Sequence, residues 1–239
     1  MATIITTITI IKTMLIDIHN HALYGVDDGA KTIEDSIKMI NQAIEIGVKE
    51  IFLTPHYNRR YNKLDVKKEF EELVNYYKES PIKLHLGREY RYNSLEPFKK
   101  FTMGNSNYVL LEFSTTTPDP IEEVCYNISR NGFIPIIAHI ERYHYLTKED
   151  YEEIKEVALF QINSESVIGT SSFRKDRKIV KYLLKQGLVD FVASDAHNTT
   201  SRRNTLDKAY NYILKKHGKD LALDLFINNP KKIIETHLI

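Results

Sequence analysis

The sequence has almost no cysteine, no charge imbalance and no long hydrophobic run, and each absence excludes a class of protein. The single cysteine, Cys125, excludes an intrachain disulfide and fits a reducing compartment, so we expect a cytoplasmic protein. The 33 basic and 32 acidic side chains leave a net charge of +1, so bulk attraction predicts neither a nucleic-acid partner nor an anionic membrane surface. No run approaches the roughly 18 apolar residues that span a bilayer, so we expect a soluble protein.

Cys125 also lacks the surroundings of a catalytic thiolate. A cysteine-dependent phosphatase needs its cysteine in a glycine-containing loop, followed at a fixed spacing by an arginine. Arg130 is one residue too close to Cys125, and both fall within a predicted helix. We therefore interpret Cys125 as structural. The sequence also contains no P-loop and no ordered GxGxxG motif, so nucleotide-driven chemistry has no support.

The chain has the size and composition of a single globular domain. Its 239 residues are 42% hydrophobic, which is ample for a core, and they contain no repeat and no low-complexity linker. Residues 1–13, MATIITTITIIKT, lack the regions of a signal peptide, and Met14 would make sense as a start. We predict one domain over residues 14–239, with residues 1–13 as an extension, an expression artefact or an extra edge strand.

Short apolar runs alternate with amphipathic segments along the whole chain. The runs are rich in Val, Ile and Phe, which is typical of buried strands, and the segments repeat their apolar residues at helical spacing. This alternation predicts a parallel sheet with right-handed crossovers, in either an open doubly wound fold or a closed barrel. We predict seven strands at 15–18, 50–54, 82–86, 108–113, 133–138, 159–163 and 189–194, helices at 32–46, 63–79, 119–131, 147–156 and 172–186, and a wholly helical tail from about 200.

Histidines and acids follow six of these seven strands. The carboxyl ends of parallel strands lie on one face, where catalytic residues gather, so these side chains should converge. Each one alone could be a loop residue or a satisfied core group, but six strands together favour a site. The remaining histidines, His85, His144, His217 and His237, lack this placement. The convergent set is His19, His21, His56, Glu89, Glu112, His139, Asp195 and His197, with Asp28 in a nearby loop.

Mixed imidazole and carboxylate ligands suit Mn²⁺, Fe²⁺ or Zn²⁺, whereas an oxygen-rich site would favour Mg²⁺ or Ca²⁺. This set has more ligands than one ion can use. The sequence therefore predicts two or three ions bridged by carboxylate.

Seven motifs in this order resemble the polymerase and histidinol phosphatase (PHP) family: HxH, DDG, TPH, GxE, LLEF, AHIERY and SDAHN. More narrowly they are similar to its bacterial tyrosine-protein phosphatases of capsular and exopolysaccharide gene clusters, from about Met14 to the end. The resemblance implies a distorted (β/α)₇ TIM-like barrel with three divalent metal ions, typically manganese, at the carboxyl ends of the strands. The implied ligands are His19, His21, Asp28, His56, Glu89, Glu112, His139, Asp195 and His197.

The resemblance also implies how a phosphate ester is held and cleaved. Arg142 and Arg202 match arginines that face the substrate phosphate, although Arg203 is adjacent to the second. We expect a metal-activated hydroxide to attack phosphorus, with Asp195 as a catalytic ligand and the two arginines clamping the phosphoryl oxygens.

Six tyrosines lie on the predicted loops beside the ligands. They could form an aromatic rim for a phosphotyrosine ring, with Tyr24 and Tyr61 as substrate contacts, or they could simply pack at the barrel mouth. The others are Tyr57, Tyr90, Tyr92 and Tyr143, and Arg59, Arg60 and Lys63 lie nearby.

The leading hypothesis is a metal-dependent protein-tyrosine phosphatase that acts on the tyrosine-rich tail of a bacterial kinase controlling polysaccharide synthesis. A second hypothesis keeps the metals but takes a small substrate such as histidinol phosphate. A third is a non-enzymatic metal-binding scaffold, which the complete ligand set disfavours.

Overall fold

A computed structural model describes residues 14–92 and 97–237. Every strand pairing within these ranges is parallel, so the predicted α/β fold with a parallel sheet is confirmed. The N-terminal extension, residues 1–13, lies outside the described residues. The strands are β1 Leu15–Asn20, β2 Val48–Leu53, β3 His56–Tyr57, β4 Lys83–Leu86, β5 Glu89–Arg91, β6 Tyr108–Glu112, β7 Ile134–Ile137, β8 Leu159–Asn163 and β9 Phe191–Ala193.

Two short strands, β3 and β5, lie just beyond the predicted ends of the second and third strands. The second run continues as β2 and then β3 after Thr54 and Pro55, and the third continues as β4 and then β5 after Gly87 and Arg88. Pro55 has no backbone N–H to donate to a ladder, which favours a break at that point. The ladder therefore splits into a three-stranded sheet in the order β1-β2-β4 and a six-stranded sheet in the order β3-β5-β6-β7-β8-β9.

Backbone contacts bring β9, at the edge of the six-stranded sheet, next to β1 of the three-stranded sheet. A parallel bridge joins Asn20 to Ala196, and the N–H of Asp195 donates to the carbonyl of His19 at 2.9 Å, so β9 approaches β1. The result is a curled parallel sheet whose first and last strands meet. All strand ends that carry the predicted ligands consequently lie at one end of the sheet.

The predicted helices form, and local sequence signals fix their ends. Capping boxes begin α1 (Ile33–Glu45) at Thr32 with Asp35 and α4 (Lys148–Lys155) at Thr147 with Asp150. Gly187 ends α6 (Arg174–Gln186) with a positive φ of 69°, a conformation that glycine adopts without steric cost. The helices are α1 Ile33–Glu45, α2 Lys67–Tyr76, α3 Ile121–Arg130, α4 Lys148–Lys155, α5 Ser164–Ile168, α6 Arg174–Gln186, α7 Leu206–His217, α8 Lys219–Leu223 and α9 Asn229–Glu235.

The predicted helical tail is correct over residues 206–235, with an interruption at Gly218. Residues 200–205 form turns and coil, and a π-helical segment, Asp224–Asn228, joins α8 to α9. Helix α5 was not predicted, because its five residues are too few to show a period. Across residues 14–92 and 97–237, no helix is both long and apolar enough to span a bilayer.

Two apolar clusters build the core on opposite faces of the sheet. The larger cluster packs the sheet against the helices. The smaller one takes alternate strand residues such as Ile16, Leu110, Ile136 and Phe191, and Ile233 from α9 joins it. This second cluster supports the sheet from the side opposite the helices, beneath the ends that carry the ligands.

The capping box at the start of α4 should contribute measurably to stability. Thr147→Ala removes the hydroxyl that accepts from the N–H of Asp150, so we expect the free energy of unfolding to fall by about 1 kcal/mol. Glu152→Ala, an exposed change on the same helix, should stay within about 0.5 kcal/mol of the unaltered protein. Urea unfolding followed by circular dichroism measures both, and equal losses would show that the cap contributes nothing specific.

Candidate metal centre

The two histidines at the end of β1 point at each other. Both side chains are fully buried, and their Nε2 atoms lie 3.1 Å apart. The Nδ1 atom of His19 lies 3.0 Å from Oε1 of Gln161, and Nδ1 of His21 lies 2.7 Å from Oδ2 of Asp27. These outer contacts orient both rings so that two imidazole nitrogens converge on one point, which is the arrangement that a shared cation requires.

Glu89 is a fully buried carboxylate that contacts four histidines. Its Oε1 lies 2.8 Å from Nε2 of His139, and its Oε2 lies 2.6 Å from Nδ1 of His56. The same Oε2 lies 3.4 Å from Nε2 of both His19 and His21. Burial would raise the pKa of Glu89, but the neighbouring imidazoles outweigh it and hold the pKa well below its usual value. Glu89 is therefore an anion at the centre of the cluster.

Asp195 brings the far end of the chain to the same point. Its Oδ1 lies 3.5 Å from Nε2 of His19 and 3.3 Å from Nε2 of His21. Its backbone adopts a left-handed φ of 52°, as does that of His139 at 36°, and such conformations cluster at functional sites. Burial and the nearby His21 lower the pKa of His197 to about 2, so His197 stays neutral and can act as a ligand.

Asp28 and Glu112 lie at the outer edge of the cluster. Asp28 is 41% exposed, and its Oδ1 lies 3.5 Å from Nε2 of His56 and 3.6 Å from Nε2 of His197. Glu112 lies 3.9 Å from His56 and also contacts Arg91, whose Nη1 is 3.4 Å from its Oε2. Asp28 therefore faces the open side of the cluster, whereas Glu112 is only 16% exposed.

Eight of the nine predicted ligands fall into three groups. Within each group, the possible ligand atoms lie within 4.8 Å of one another. His139 lies outside these groups but touches Glu89 directly. The groups are His21 with Asp28, His56 and His197; His19 with His21 and Asp195; and His56 with Glu89 and Glu112.

Four buried polar atoms of this cluster lack a hydrogen-bond partner within the described ranges. Nδ1 of His56 and Oε2 of Glu89 are close in distance but poorly aligned for a hydrogen bond, and the other two atoms are Nδ1 of His139 and Nε2 of His197. Leaving such atoms unpaired is costly, whereas imidazole nitrogens and carboxylate oxygens are good ligands of transition-metal ions. The donor set therefore fits divalent cations.

Two arginines converge on Asp195 from the open side. Nη1 of Arg142 lies 3.0 Å and Nη2 of Arg202 lies 3.4 Å from Oδ2 of Asp195. Burial would lower the pKa of Arg142, but the carboxylates of Asp195, Glu141 and Glu165 outweigh it and raise the pKa above its usual value. The two guanidinium groups thus lie beside the ligand cluster. Of the two adjacent candidates, Arg202 rather than Arg203 contacts Asp195.

The structure separates the predicted tyrosine rim into core and surface residues. Tyr57 and Tyr90 are buried and stack on Phe101, while Tyr143 is buried with its hydroxyl donating to the carbonyl of Ala138 at 3.1 Å. These three tyrosines therefore pack the fold, and the half-buried Tyr92 packs on the buried Phe113 at a ring-centroid distance of 5.6 Å.

Two other tyrosines of the predicted rim are partly exposed. The ring of Tyr61 lies nearly parallel to that of His56, with the centroids 6.1 Å apart, and the guanidinium of Arg60 lies over Tyr61. The Tyr24 hydroxyl donates to the carboxylate of Glu72 in α2. Of these two partly exposed tyrosines, Tyr61 is therefore the one whose ring lies beside a predicted ligand.

Sequence reasoning missed the residues that hold the ligands in place. Oε1 of Gln161 accepts from the N–H of His139 at 2.9 Å, and its Nε2 donates to Asn163 at 2.8 Å. Asn163 in turn donates to Oδ2 of Asp195 at 2.8 Å. Polar residues at alternate positions of the buried run LFQIN are unusual, and this pattern could have revealed them.

Asp27, the first acid of the DDG motif, was also missed. Its Oδ2 accepts from the N–H of His56 at 2.9 Å and contacts His21, while its Oδ1 accepts from the N–H of Gly29 at 2.8 Å. The positive neighbours outweigh burial and lower the pKa of Asp27 to about 2. A Cβ on Gly29 would lie 2.0 Å from the carbonyl oxygen of His21, so the motif needs glycine for this close approach.

The four excluded histidines lie elsewhere, as expected. His85 in β4 contacts Glu50 at 2.9 Å, and His144 contacts Asp176 at 2.6 Å. His217 ends α7 and His237 follows α9, and both are exposed.

Comparison with known proteins identifies the family to which this chain belongs. A family model for the capsular polysaccharide synthesis proteins CpsB/CapC matches residues 15–235. The chain belongs to the CpsB/CapC family. The predicted resemblance to the tyrosine phosphatases of capsular gene clusters is thereby confirmed.

The relatives of this CpsB/CapC protein include proteins named as phosphatases. Tyrosine-protein phosphatase CpsB of Streptococcus pneumoniae is 36% identical over 248 residues, which cover 94% of this chain and 100% of that protein. Tyrosine-protein phosphatase YwqE of Bacillus subtilis (strain 168) is 32% identical over 229 residues, which cover 90% and 89%. The match therefore extends over almost the full length of both chains.

Solved structures agree with this placement. One comes from crystal structures of YwqE from Bacillus subtilis and CpsB from Streptococcus pneumoniae, described as unique metal-dependent tyrosine phosphatases. It matches with a TM-score of 0.80 at 29% identity over 94% of this chain and 96% of that chain. An amidohydrolase from Mycoplasma synoviae matches with a TM-score of 0.62 at 16% identity over 95% and 90% of the two chains, which shows a shared fold alone.

Removing the negative charge of Asp27 should weaken metal binding strongly. Asp27→Asn places an amide where two oxygens now accept three N–H groups, so an NH₂ must face a donor and the orientation of His21 is lost. We expect metal affinity, measured by competition with a chelator, to fall by about 10- to 100-fold. The control is Asp65→Asn, an exposed change that affects only the N–H of Lys67, and an equal effect of both would refute the role of Asp27.

Replacing Cys125 should leave phosphatase activity almost unchanged. The thiol is fully buried in α3, and burial raises its pKa to about 12, so it carries no thiolate at neutral pH. Cys125→Ala should therefore keep the activity per folded molecule toward a phosphotyrosine peptide within about twofold, although stability falls by about 1 kcal/mol. A complete loss of activity in a variant with a native circular dichroism spectrum would restore the cysteine mechanism.

Proposed function

We propose that this chain is a metal-dependent protein-tyrosine phosphatase, a hydrolase of phosphoric monoesters. The observation that carries the proposal is the convergence of a buried imidazole and carboxylate cluster with two arginines around Asp195. The phosphatase names of full-length relatives support the reaction class. We keep residues 14–239 as a single domain, with the curled sheet as a distorted (β/α)₇ barrel in which β2 with β3 and β4 with β5 each count as one strand.

We propose three divalent ions, with manganese as the first candidate and Fe²⁺, Zn²⁺ or Mg²⁺ as alternatives. The three groups of ligand atoms support this number, since each group can hold one ion. The groups are also adjacent, because the first shares His21 with the second and His56 with the third. The proposed ligands are the predicted ones: His19, His21, Asp28, His56, Glu89, Glu112, His139, Asp195 and His197.

When bound, the ions would act as Lewis acids that activate water and offset the charge of the phosphate. The remaining chemistry belongs to the chain. Arg142 and Arg202 lie within reach of a phosphoryl group held at the ligands, and their planar guanidinium groups can each donate two parallel hydrogen bonds to it. Asp195 contacts His19, His21 and both arginines, so it fixes the phosphate-binding groups relative to the ligands.

The proposed substrate is a phosphotyrosine protein, with the tail of a bacterial tyrosine kinase as the specific candidate. The open side of the cluster supports a macromolecular substrate, because Asp28, Arg202 and Tyr61 are all partly exposed there. Tyr61 and Tyr24 remain predicted substrate contacts, and the cytoplasmic location expected from the single cysteine remains part of this proposal. The alternative substrate is a small phosphate ester such as histidinol phosphate.

Metal removal tests the mechanism and the substrate together. Chelation should abolish hydrolysis of a phosphotyrosine peptide, and Mn²⁺ should restore it, because the ions would supply the Lewis acid that activates water. His197→Ala should lower the restored rate by at least about 100-fold. Activity that survives complete metal removal would refute the proposal, and a higher kcat/KM for histidinol phosphate than for the peptide would favour the alternative.

A further inference from the structure

A basic cleft lies at the start of α6, outside the metal centre. We define the α6 surface as Phe173, Arg174, Arg177, Lys178 and Lys181, all of which are exposed. They line a cleft of about 520 Å³, whose other wall includes Gly169 and Ser171. This volume is within the range of pockets that hold small ligands or single side chains.

The α6 surface carries four cations. Within the described parts of the chain, none of Arg174, Arg177, Lys178 and Lys181 forms an ion pair. The one acid of this helix turn, Asp176, is buried and engaged by His144. The whole chain has a net charge of only +1, so this cleft is a local concentration of positive charge that favours an anion.

The cleft is on the same side of the molecule as the metal centre. Helix α6 connects the parallel strands β8 and β9, so it runs antiparallel to them and begins at their carboxyl ends. Contacts fix it there, because Asp176 binds His144, two residues after Arg142. Lys175 also donates to the carbonyl of His144 at 2.7 Å.

A second set of contacts ties the cleft wall to the same arginine. Nη2 of Arg142 lies 3.3 Å from Oε1 of Glu165 in α5. The carbonyl of Glu165 accepts from the N–H groups of Thr170 and Ser171, which continue into the cleft wall. The cleft and the phosphate-facing arginine therefore belong to one connected unit.

We propose that the α6 surface binds a second phosphotyrosine on the same peptide whose first phosphotyrosine lies at the metal centre, an inference that rests on the proposed function. Arg174 and Arg177 supply guanidinium groups that bind phosphate dianions well. Phe173, which is 62% exposed, offers an apolar ring for the tyrosine ring. The concave shape and the single exposed apolar side chain fit a phosphorylated side chain better than a flat anionic membrane.

Peptides with one or two phosphotyrosines test this site. We expect the Mn²⁺-loaded protein to show a KM about tenfold lower for a doubly phosphorylated peptide than for its singly phosphorylated form. The gain should depend on the spacing between the two phosphotyrosines and should shrink as salt is raised. Comparing two peptides on one preparation makes the ratio independent of the fraction of folded protein.

Charge reversal at the cleft should remove this preference. Arg174→Glu combined with Lys178→Glu should bring the KM ratio of the two peptides to about 1. The matched control, Lys215→Glu with Lys216→Glu, changes two exposed cations in the last turn of α7, at the opposite end of the strands, and should keep the tenfold ratio.

Four outcomes would overturn the proposal. The wild type could show equal KM values for both peptides, or the α6 variant could retain the preference. A peptide with glutamate in place of the second phosphotyrosine could gain as much, which would show that any acid suffices. The α6 variant could instead lose binding to phosphatidylserine vesicles with an unchanged peptide ratio, which would assign the surface to membranes. If the wild type cleaves neither peptide, the proposed function itself fails.

Discussion

The buried carboxylate of Glu89 is the group on which the arrangement of the site depends. It lies within 3.4 Å of imidazole nitrogens from His19, His21, His56 and His139, which come from three separate parts of the chain. A buried charge without such partners would be strongly unfavourable, so the end of β1, the start of β3 and the end of β7 must all reach this point. The contacts between Glu89 and these histidines therefore hold the strands together at the end of the sheet that carries the predicted ligands.

The contacts around the ligands explain how distant residues hold fixed positions. Gln161 and Asn163, on one strand, connect His19 and His139 to Asp195 through amide hydrogen bonds. Because amides do not titrate, these links hold the ligands in the same orientation over a wide range of pH. A preorganised site of this kind avoids the cost of ordering its groups when an ion or a phosphate binds.

The strands and helices were largely predictable because their signals are local. Thr32 and Thr147 cap helices within a few residues, and the apolar runs mark each buried strand. The short strands β3 and β5, which follow the breaks at Pro55 and Gly87, were not predicted. A Cβ on Gly87 would lie 2.7 Å from Sδ of Met103, a neighbour that only the folded chain brings close.

By itself, the sequence determined the alternation of the main strands and helices, the histidines and acids at the strand ends and the family of the chain, since short motifs and periodic patterns encode them. Only the tertiary structure decided that Asp27 supports His21 while Asp28 faces the open side, and that Tyr57, Tyr90 and Tyr143 pack in the core. The physical reason is that burial and side-chain direction depend on contacts between segments far apart in sequence. Closure of the curled sheet creates those contacts, and no local pattern specifies them.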